Sequence, residues 1–304
     1  MLAQVRAFFA TRGVLEVDTP QLVNYAVTDV NIHSAEVRWP RDDERPRYLH
    51  TSPEYAMKRL LAAGSGDIYQ MCHVFRGEEQ GPQHNSEFMI VEWYRRGWAF
   101  GALMDEVDAL LRAVVDSSSL APTRYISYEQ AFLETLGCNP LTDNDNQLQA
   151  EGRRAGFDEA LLLRCDRDEL LDLLMGACIG PQLGQDGPVF IQRYPASQAA
   201  LARLDPDDAR VALRFEFYLR GVELANGFEE LGDGPEQRAR FASDQRLRAA
   251  RNLPVPAMDE YLLAALSTGL PPCVGVALGF DRLLMLACNA SSIDEVMAFT
   301  SERA

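Results

Sequence analysis

Apolar residues recur along this chain with two periods, and the switches between them predict its elements. Leu2, Val5, Phe8 and Phe9 fall at helical spacing and stop at Gly13, after which Val14 to Val17 reads as a short strand running into Thr19-Pro20. Thr51-Ser52-Pro53-Glu54 opens a second helix, with proline suited to its first turn and Glu54 near the positive end of its dipole. From Tyr69 to Arg95 the period drops to two, giving paired strands joined by a polar loop. The first strand ends in Phe75-Arg76-Gly77-Glu78. In the second, Phe88, Ile90, Glu92 and Tyr94 share one face, with Met89, Val91 and Trp93 on the other. Leu103, Val107, Leu110 and Val114 predict a covering helix over 101–115.

A small-residue and proline linker from Ser117 to Thr123 leads into a mainly helical insertion over roughly 120–185. Strand patterns return at 188–194 and from Val211 to Leu219, and Arg220-Gly221 turns the chain into Val222 to Phe228. Helices are expected at 257–268 and 280–288, with a strand from Val274 to Ala277 between them. Long strands with short turns, flanked by helices, predict an α+β fold on an antiparallel sheet.

At 304 residues and 47% hydrophobic, the chain can bury a sizeable core. The six cysteines show no C-x-x-C spacing and there are only four histidines, which argues against structural zinc and for reduced thiols in the cytoplasm. A net charge of −16 without any basic run argues against non-specific nucleic-acid binding. No apolar run reaches the ~18 residues of a membrane span, and no signal peptide is evident.

Three constellations carry chemistry. In the Tyr69–Arg95 hairpin, the Arg76 guanidinium matches a phosphate, Phe88 offers a stacking surface for a flat base, and Glu92 with Tyr94 suits an ammonium group. The same residues also suit a solvated sheet face with an ion pair between Arg76 and a nearby glutamate. In the second, Glu216 and Glu223 flank a predicted hairpin and suit Mg²⁺ bound to a polyphosphate. Asn226, Phe228 and Glu230 share a face by parity, whereas Glu223 falls on the other. The two sets meet only if the strand bulges, for which Asn226-Gly227 is the expected place. The third runs Gly275-Val276-Ala277-Leu278-Gly279-Phe280-Asp281-Arg282, a strand passing through glycine into a helix, with Arg282 as a second fixed cation for phosphate.

Together these resemble the signature motifs of class II aminoacyl-tRNA synthetases. Gly13 to Pro20 resembles motif 1, the dimer-interface motif. Phe75-Arg76-Gly77-Glu78 with His84-Asn85-Ser86-Glu87-Phe88 resembles motif 2, and Gly279-Phe280-Asp281-Arg282 resembles motif 3. Pro53-Glu54, Met57-Lys58-Arg59-Leu60, Glu92-x-Tyr94 and Asn226-Gly227-Phe228-x-Glu230 are similar to the lysyl branch. Thr51-Ser52-Pro53-Glu54-Tyr55, Glu223-Leu224-Ala225-Asn226-Gly227-Phe228 and Gly275 to Gly279 fit best with the elongation factor P–lysine ligases, truncated paralogues of that branch.

The resemblance implies a single class II catalytic domain over 1–304, without an anticodon-binding domain, acting as a homodimer on ATP and Mg²⁺. Arg76 and Arg282 would be catalytic, holding the α-phosphate and the terminal phosphates. Gly77, Glu78, His84, Asn85, Phe88, Glu223, Leu224 and Gly279 would complete the ATP site, and Glu216 and Glu223 would bind Mg²⁺. Ser52, Pro53, Glu54, Glu92, Tyr94, Asn226, Phe228, Glu230 and Ala277 would line the amino-acid pocket. Ser52 and Ala277 stand where the synthetases usually carry alanine and glycine, which agrees with the ligase branch and with β-lysine as substrate. The implied acceptor is a lysine of elongation factor P, not tRNA. The rivals are a tRNA-charging or free amino-acid-activating enzyme and a non-catalytic paralogue. Such paralogues typically lose the motif arginines, and Arg76 and Arg282 both stand here.

Overall fold

The computed structural model describes residues 1–38, 46–77, 81–116, 118, 120–301, 303 and 304. They divide into two compact units, one of residues 1–116 with 230–304 and one of residues 117–229.

The first unit begins with α1 (Leu2–Ala10), whose Val5, Phe8 and Phe9 are buried, and β1 (Leu15–Glu16). Three short strands, β2 (Leu22–Val23), β3 (Glu36–Val37) and β4 (Arg47–Leu49), form a small sheet in the order β2-β4-β3 that the sequence pattern did not reveal. Helix α2 (Glu54–Ala62) follows with Pro53 at its N-cap, one position before the first turn where it was expected. The long hairpin is β5 (Ile68–Phe75) and β6 (Glu87–Arg96), antiparallel with Gln70 opposite Glu92 and Val74 opposite Phe88, and α3 (Phe100–Val114) comes next. Phe9 stacks on Tyr69 and tilts against Trp93, so α1 is fixed by aromatic burial on the hairpin face opposite Glu92.

The second unit contains β7 (Arg124–Ser127) and helices α4 (Tyr128–Leu136), α5 (Asp145–Arg154), α6 (Glu159–Arg164) and α7 (Arg167–Leu174). Asn144 with Gln147 and Asp166 with Glu169 form capping boxes that start α5 and α7. Strands β8 (Val189–Pro195), β9 (Val211–Leu219) and β10 (Val222–Glu229) complete its sheet, in the order β7-β8-β9-β10. Tyr128, Phe132, Leu148, Leu170 and Leu174 pack with Ile191 and Tyr194 into its apolar core.

The chain then returns to the first unit with α8 (Gly234–Ala250), α9 (Glu260–Gly269), β11 (Cys273–Gly279) and α10 (Phe280–Ala287). Strand β11 runs antiparallel to β6, with Gly275 opposite Tyr94 and Ala277 opposite Glu92. The sheets are mixed rather than wholly antiparallel, because β1 pairs with β5 and β7 with β8 in parallel. Among the described residues no helix is long and apolar enough to cross a membrane.

Candidate active site

In the first unit, α2, β6 and the segment just before α8 bring together a largely buried cluster of polar side chains. Glu92 on β6 is 2% exposed, and both of its carboxylate oxygens accept hydroxyl hydrogen bonds. Tyr94 donates to one at 2.8 Å and Ser52 to the other at 2.7 Å. The Ser52 hydroxyl also accepts from the backbone N–H of Glu54 at 3.0 Å, tying the start of α2 to β6. Burial, then the nearby Glu54 charge, pushes Glu92 up to about 8, with the two hydroxyl donors working in the opposite direction.

Lys58, one helical turn beyond Glu54, is wholly buried. Its Nζ lies 2.7 Å from Glu54 Oε1 and 2.6 Å from Glu230 Oε2. Burial opposes its charge, but the Glu230 and Glu54 carboxylates more than offset that, and the ammonium stays above its ordinary range. Gly275 makes room for this arrangement, since a Cβ there would run into the Tyr94 ring and Glu230 Oε1. Lys58 lies within the Met57-Lys58-Arg59-Leu60 string without a role implied by it, and its i,i+4 spacing from Glu54 is the one sequence signal of this pairing.

The same unit holds the cations. Arg76 follows β5, donates to the Thr51 carbonyl at 3.4 Å and sits with its guanidinium carbon 5.2 Å from the centre of the Phe88 ring. Arg282, in the first turn of α10, donates to the Gln83 carbonyl at 3.1 Å and meets His84 Nε2 at 2.7 Å. Its neighbour Asp281 accepts the backbone N–H of Met89 at 2.7 Å, which ties the start of α10 to β6 beside Phe88. Asn85 is engaged within the protein, donating to the Glu87 carbonyl at 2.6 Å and accepting from the Ser301 backbone and hydroxyl at 2.9 Å. Gly77 bridges to His33 through a backbone hydrogen bond of 2.8 Å, and Gly279 caps α10. Glu78, together with Ser117 and Ser119 of the expected linker, lies outside the described residues.

The second unit carries the other group. Asn226 stands opposite Glu216, Phe228 opposite Arg214 and Glu223 opposite Tyr218. The ladder shifts register between Glu223 and Ala225, so the surplus residue is Leu224 and not, as expected, one of Asn226-Gly227. The expected bulge therefore exists, two positions earlier. It puts Glu223 on the face that carries Arg214, Glu216, Tyr218, Asn226 and Phe228. Leu224 is itself buried, and Phe228 packs beside an alanine cluster of Ala199, Ala202 and Ala212.

Glu216 is 8% exposed and doubly engaged, by Arg214 at 2.5 Å and by the Tyr218 hydroxyl at 2.6 Å. Arg214 also donates to the Gln198 carbonyl at 2.8 Å and to Asn226 Oδ1 at 3.3 Å, over the ring of Tyr194. Burial opposes its charge, and Glu216, Tyr194 and Glu223 together hold it above its ordinary range. Neither Arg214 nor Tyr218 was singled out from sequence, although both alternate with Glu216 along β9.

No group of three or more His, Cys, Asp or Glu side chains able to hold a metal occurs among the described residues. Two carboxylates on one strand-pair face suit Mg²⁺, which completes its shell with phosphate oxygens and water rather than an all-protein cage.

The chain matches a family model described as tRNA synthetases class II (D, K and N) over residues 1–303. It is also similar to several curated proteins named elongation factor P–(R)-β-lysine ligase. The protein from Pectobacterium carotovorum subsp. carotovorum (strain PC1) is 48% identical, the match covering 100% of this chain and 94% of that protein. The protein from Hamiltonella defensa subsp. Acyrthosiphon pisum (strain 5AT) is 50% identical with the same coverage, and the one from Salmonella typhi is 48% identical, again over 100% and 94%.

Proposed function

The chain belongs to the class II tRNA synthetases of the D, K and N type, and from that premise we propose that it is a ligase activating a lysine isomer, with (R)-β-lysine the expected one. It uses ATP to form an aminoacyl adenylate and passes the acyl group to the amine of a lysine side chain of elongation factor P, with AMP leaving, as a cytoplasmic homodimer. The observation that carries this reading is the cluster of buried Glu92 and Glu230 with half-buried Glu54, which has one lysine, paired to Glu54 and Glu230, as its cation. Carboxylate in excess of its cations in such a place is costly unless a cationic ligand joins it.

In this reading Glu54 takes the amino group nearer the substrate carboxylate. Glu92, Tyr94 and Glu230 take the side-chain ammonium, and Ser52, Pro53 and Ala277 with Asn226 and Phe228 shape the remainder. The substrate carboxylate attacks the α-phosphorus of ATP and diphosphate leaves. Arg76 holds the α-phosphate and Arg282 the terminal phosphates, where fixed cations offset charge that grows in the transition state. Phe88 stacks on the base. Gly77, Glu78, His84, Asn85, Leu224 and Gly279 line the rest of the nucleotide site. Glu216 and Glu223 would hold Mg²⁺, which when bound neutralises polyphosphate charge. No side chain is needed as a covalent nucleophile, since positioning supplies most of the rate.

Isotope exchange between ATP and diphosphate tests the first step. β-Lysine should drive it, and Arg76→Ala should abolish it; exchange that survives this change refutes the assigned role. Mass measurement of elongation factor P after incubation tests the second step. Efficient charging of lysine tRNA with no acylation of elongation factor P would overturn the acceptor.

A further inference from the structure

We propose that Lys58 is a positioning residue whose ammonium fixes Glu54 and Glu230, so that with all three carboxylates ionised the substrate-bound site is two charges below neutral, matched to a substrate carrying two ammonium groups. The inference rests on the activation reading above and adds to it a residue that touches no substrate atom. Its basis is geometric. One buried Nζ lies within 2.7 Å of Glu54 and 2.6 Å of Glu230, and an ammonium has three donors to give. Lys58 engages one oxygen of each carboxylate, while Glu92 is held separately by Ser52 and Tyr94.

The charge inventory follows from the same neighbours. Glu54 and Glu230 stand against Lys58, and Glu92 is a third carboxylate whose charge couples to theirs rather than to the lysine. The other groups facing them are neutral: the Ser52 and Tyr94 hydroxyls, the Cys72 thiol from β5 and the Cys273 thiol from β11. Burial keeps Glu92 protonated near neutral pH before substrate arrives, and it also raises Glu230, to about 7, against the opposing pull of Lys58. Binding of a diamino acid brings two ammonium groups, ionises Glu92 and releases its proton. Without Lys58, the Glu54 charge would act unopposed on buried Glu230, which would take up a proton that the substrate must displace.

The test is calorimetric titration of the full chain with β-lysine at pH 7, in buffers of different ionisation enthalpy. The wild type should release between about one and two protons per substrate bound, from Glu92 and in part from Glu230. Lys58→Gln should raise that number and raise KM for the diamino acid at least about tenfold, with a smaller change in kcat. Lys58→Arg should move both back toward wild type. An unchanged proton count and KM in Lys58→Gln overturns the proposal. If that variant does not fold, the wild type still decides, because binding without proton release refutes the charge inventory. Wild-type protein that exchanges diphosphate with no lysine isomer refutes the activation reading instead.

Discussion

The two buried polar clusters of this protein are built from the same side-chain types with opposite balance. In the first unit, one lysine meets two of three neighbouring carboxylates, and the third, Glu92, is driven toward its protonated form. In the second, Glu216 has its own arginine and phenol, and the arginine is satisfied in turn by Asn226 and a backbone carbonyl. A network in which each charge meets its partner stabilises its own unit, whereas carboxylates crowded without enough cations hold protons near neutral pH. Under the proposed function, the shortage of cations in the first cluster is what suits it to an ammonium ligand.

Substitutions should expose this contrast. The largest effect on stability is expected from Arg214→Met, which strands Glu216 beneath the sheet face. Denaturant unfolding at neutral pH should show a loss of about 3–5 kcal/mol, and a loss below about 1 kcal/mol would mean that the network is not self-contained. Gly275→Ala should come next. Its added Cβ pushes on the Tyr94 ring and Glu230, costing about 1–3 kcal/mol and raising KM for the amino acid.

The smallest effect on stability is expected from Glu92→Gln, which removes one carboxylate from a crowd. At mildly alkaline pH it should be neutral or stabilising by up to about 1 kcal/mol, while still weakening substrate binding. The pH dependence has a definite sign. Folding raises Glu92 from its ordinary 4.5 to about 8, so the stability contributed by its proton is full below the carboxylate range and lost as pH rises through about 8. Unfolding curves measured across that window should fall for wild type relative to Glu92→Gln. Wild-type KM for the diamino acid should improve over the same window as Glu92 ionises. A difference between the two proteins that stays flat with pH would remove Glu92 from the account.

What sequence made legible was governed by periodicity and local chemistry. Strand alternation placed Phe88, Glu92 and Tyr94 on one face, and the Glu92–Tyr94 hydrogen bond and the shared packing of Phe88 and Ile90 agree. The longest helix, α8, escaped because only Gly234, Gln237, Phe241 and Arg248 are buried along it, too few for an apolar stripe. Its cap was readable all the same, as Asp233 followed by Pro235 and Glu236. Lys58 and Arg214 escaped because their importance lies in partners brought together only by folding, Glu230 for one and the Gln198 carbonyl for the other. Parity showed that a bulge was required. It gave no position for it, because a surplus residue anywhere between Glu223 and Asn226 satisfies the same condition.

That surplus residue gives the strand an unusual mutational grammar. Deletion of one residue normally inverts everything on one side of the lesion, which makes it among the harshest changes a sheet can suffer. Here, loss of Leu224 would collapse the bulge into a regular ladder and leave Glu223 and Asn226 still facing the same way as Glu216. The lesion would cost a buried leucine but no register. A single residue gained or lost between Asn226 and Phe228 has no such refuge, so along this strand the tolerated and forbidden frames lie only two positions apart.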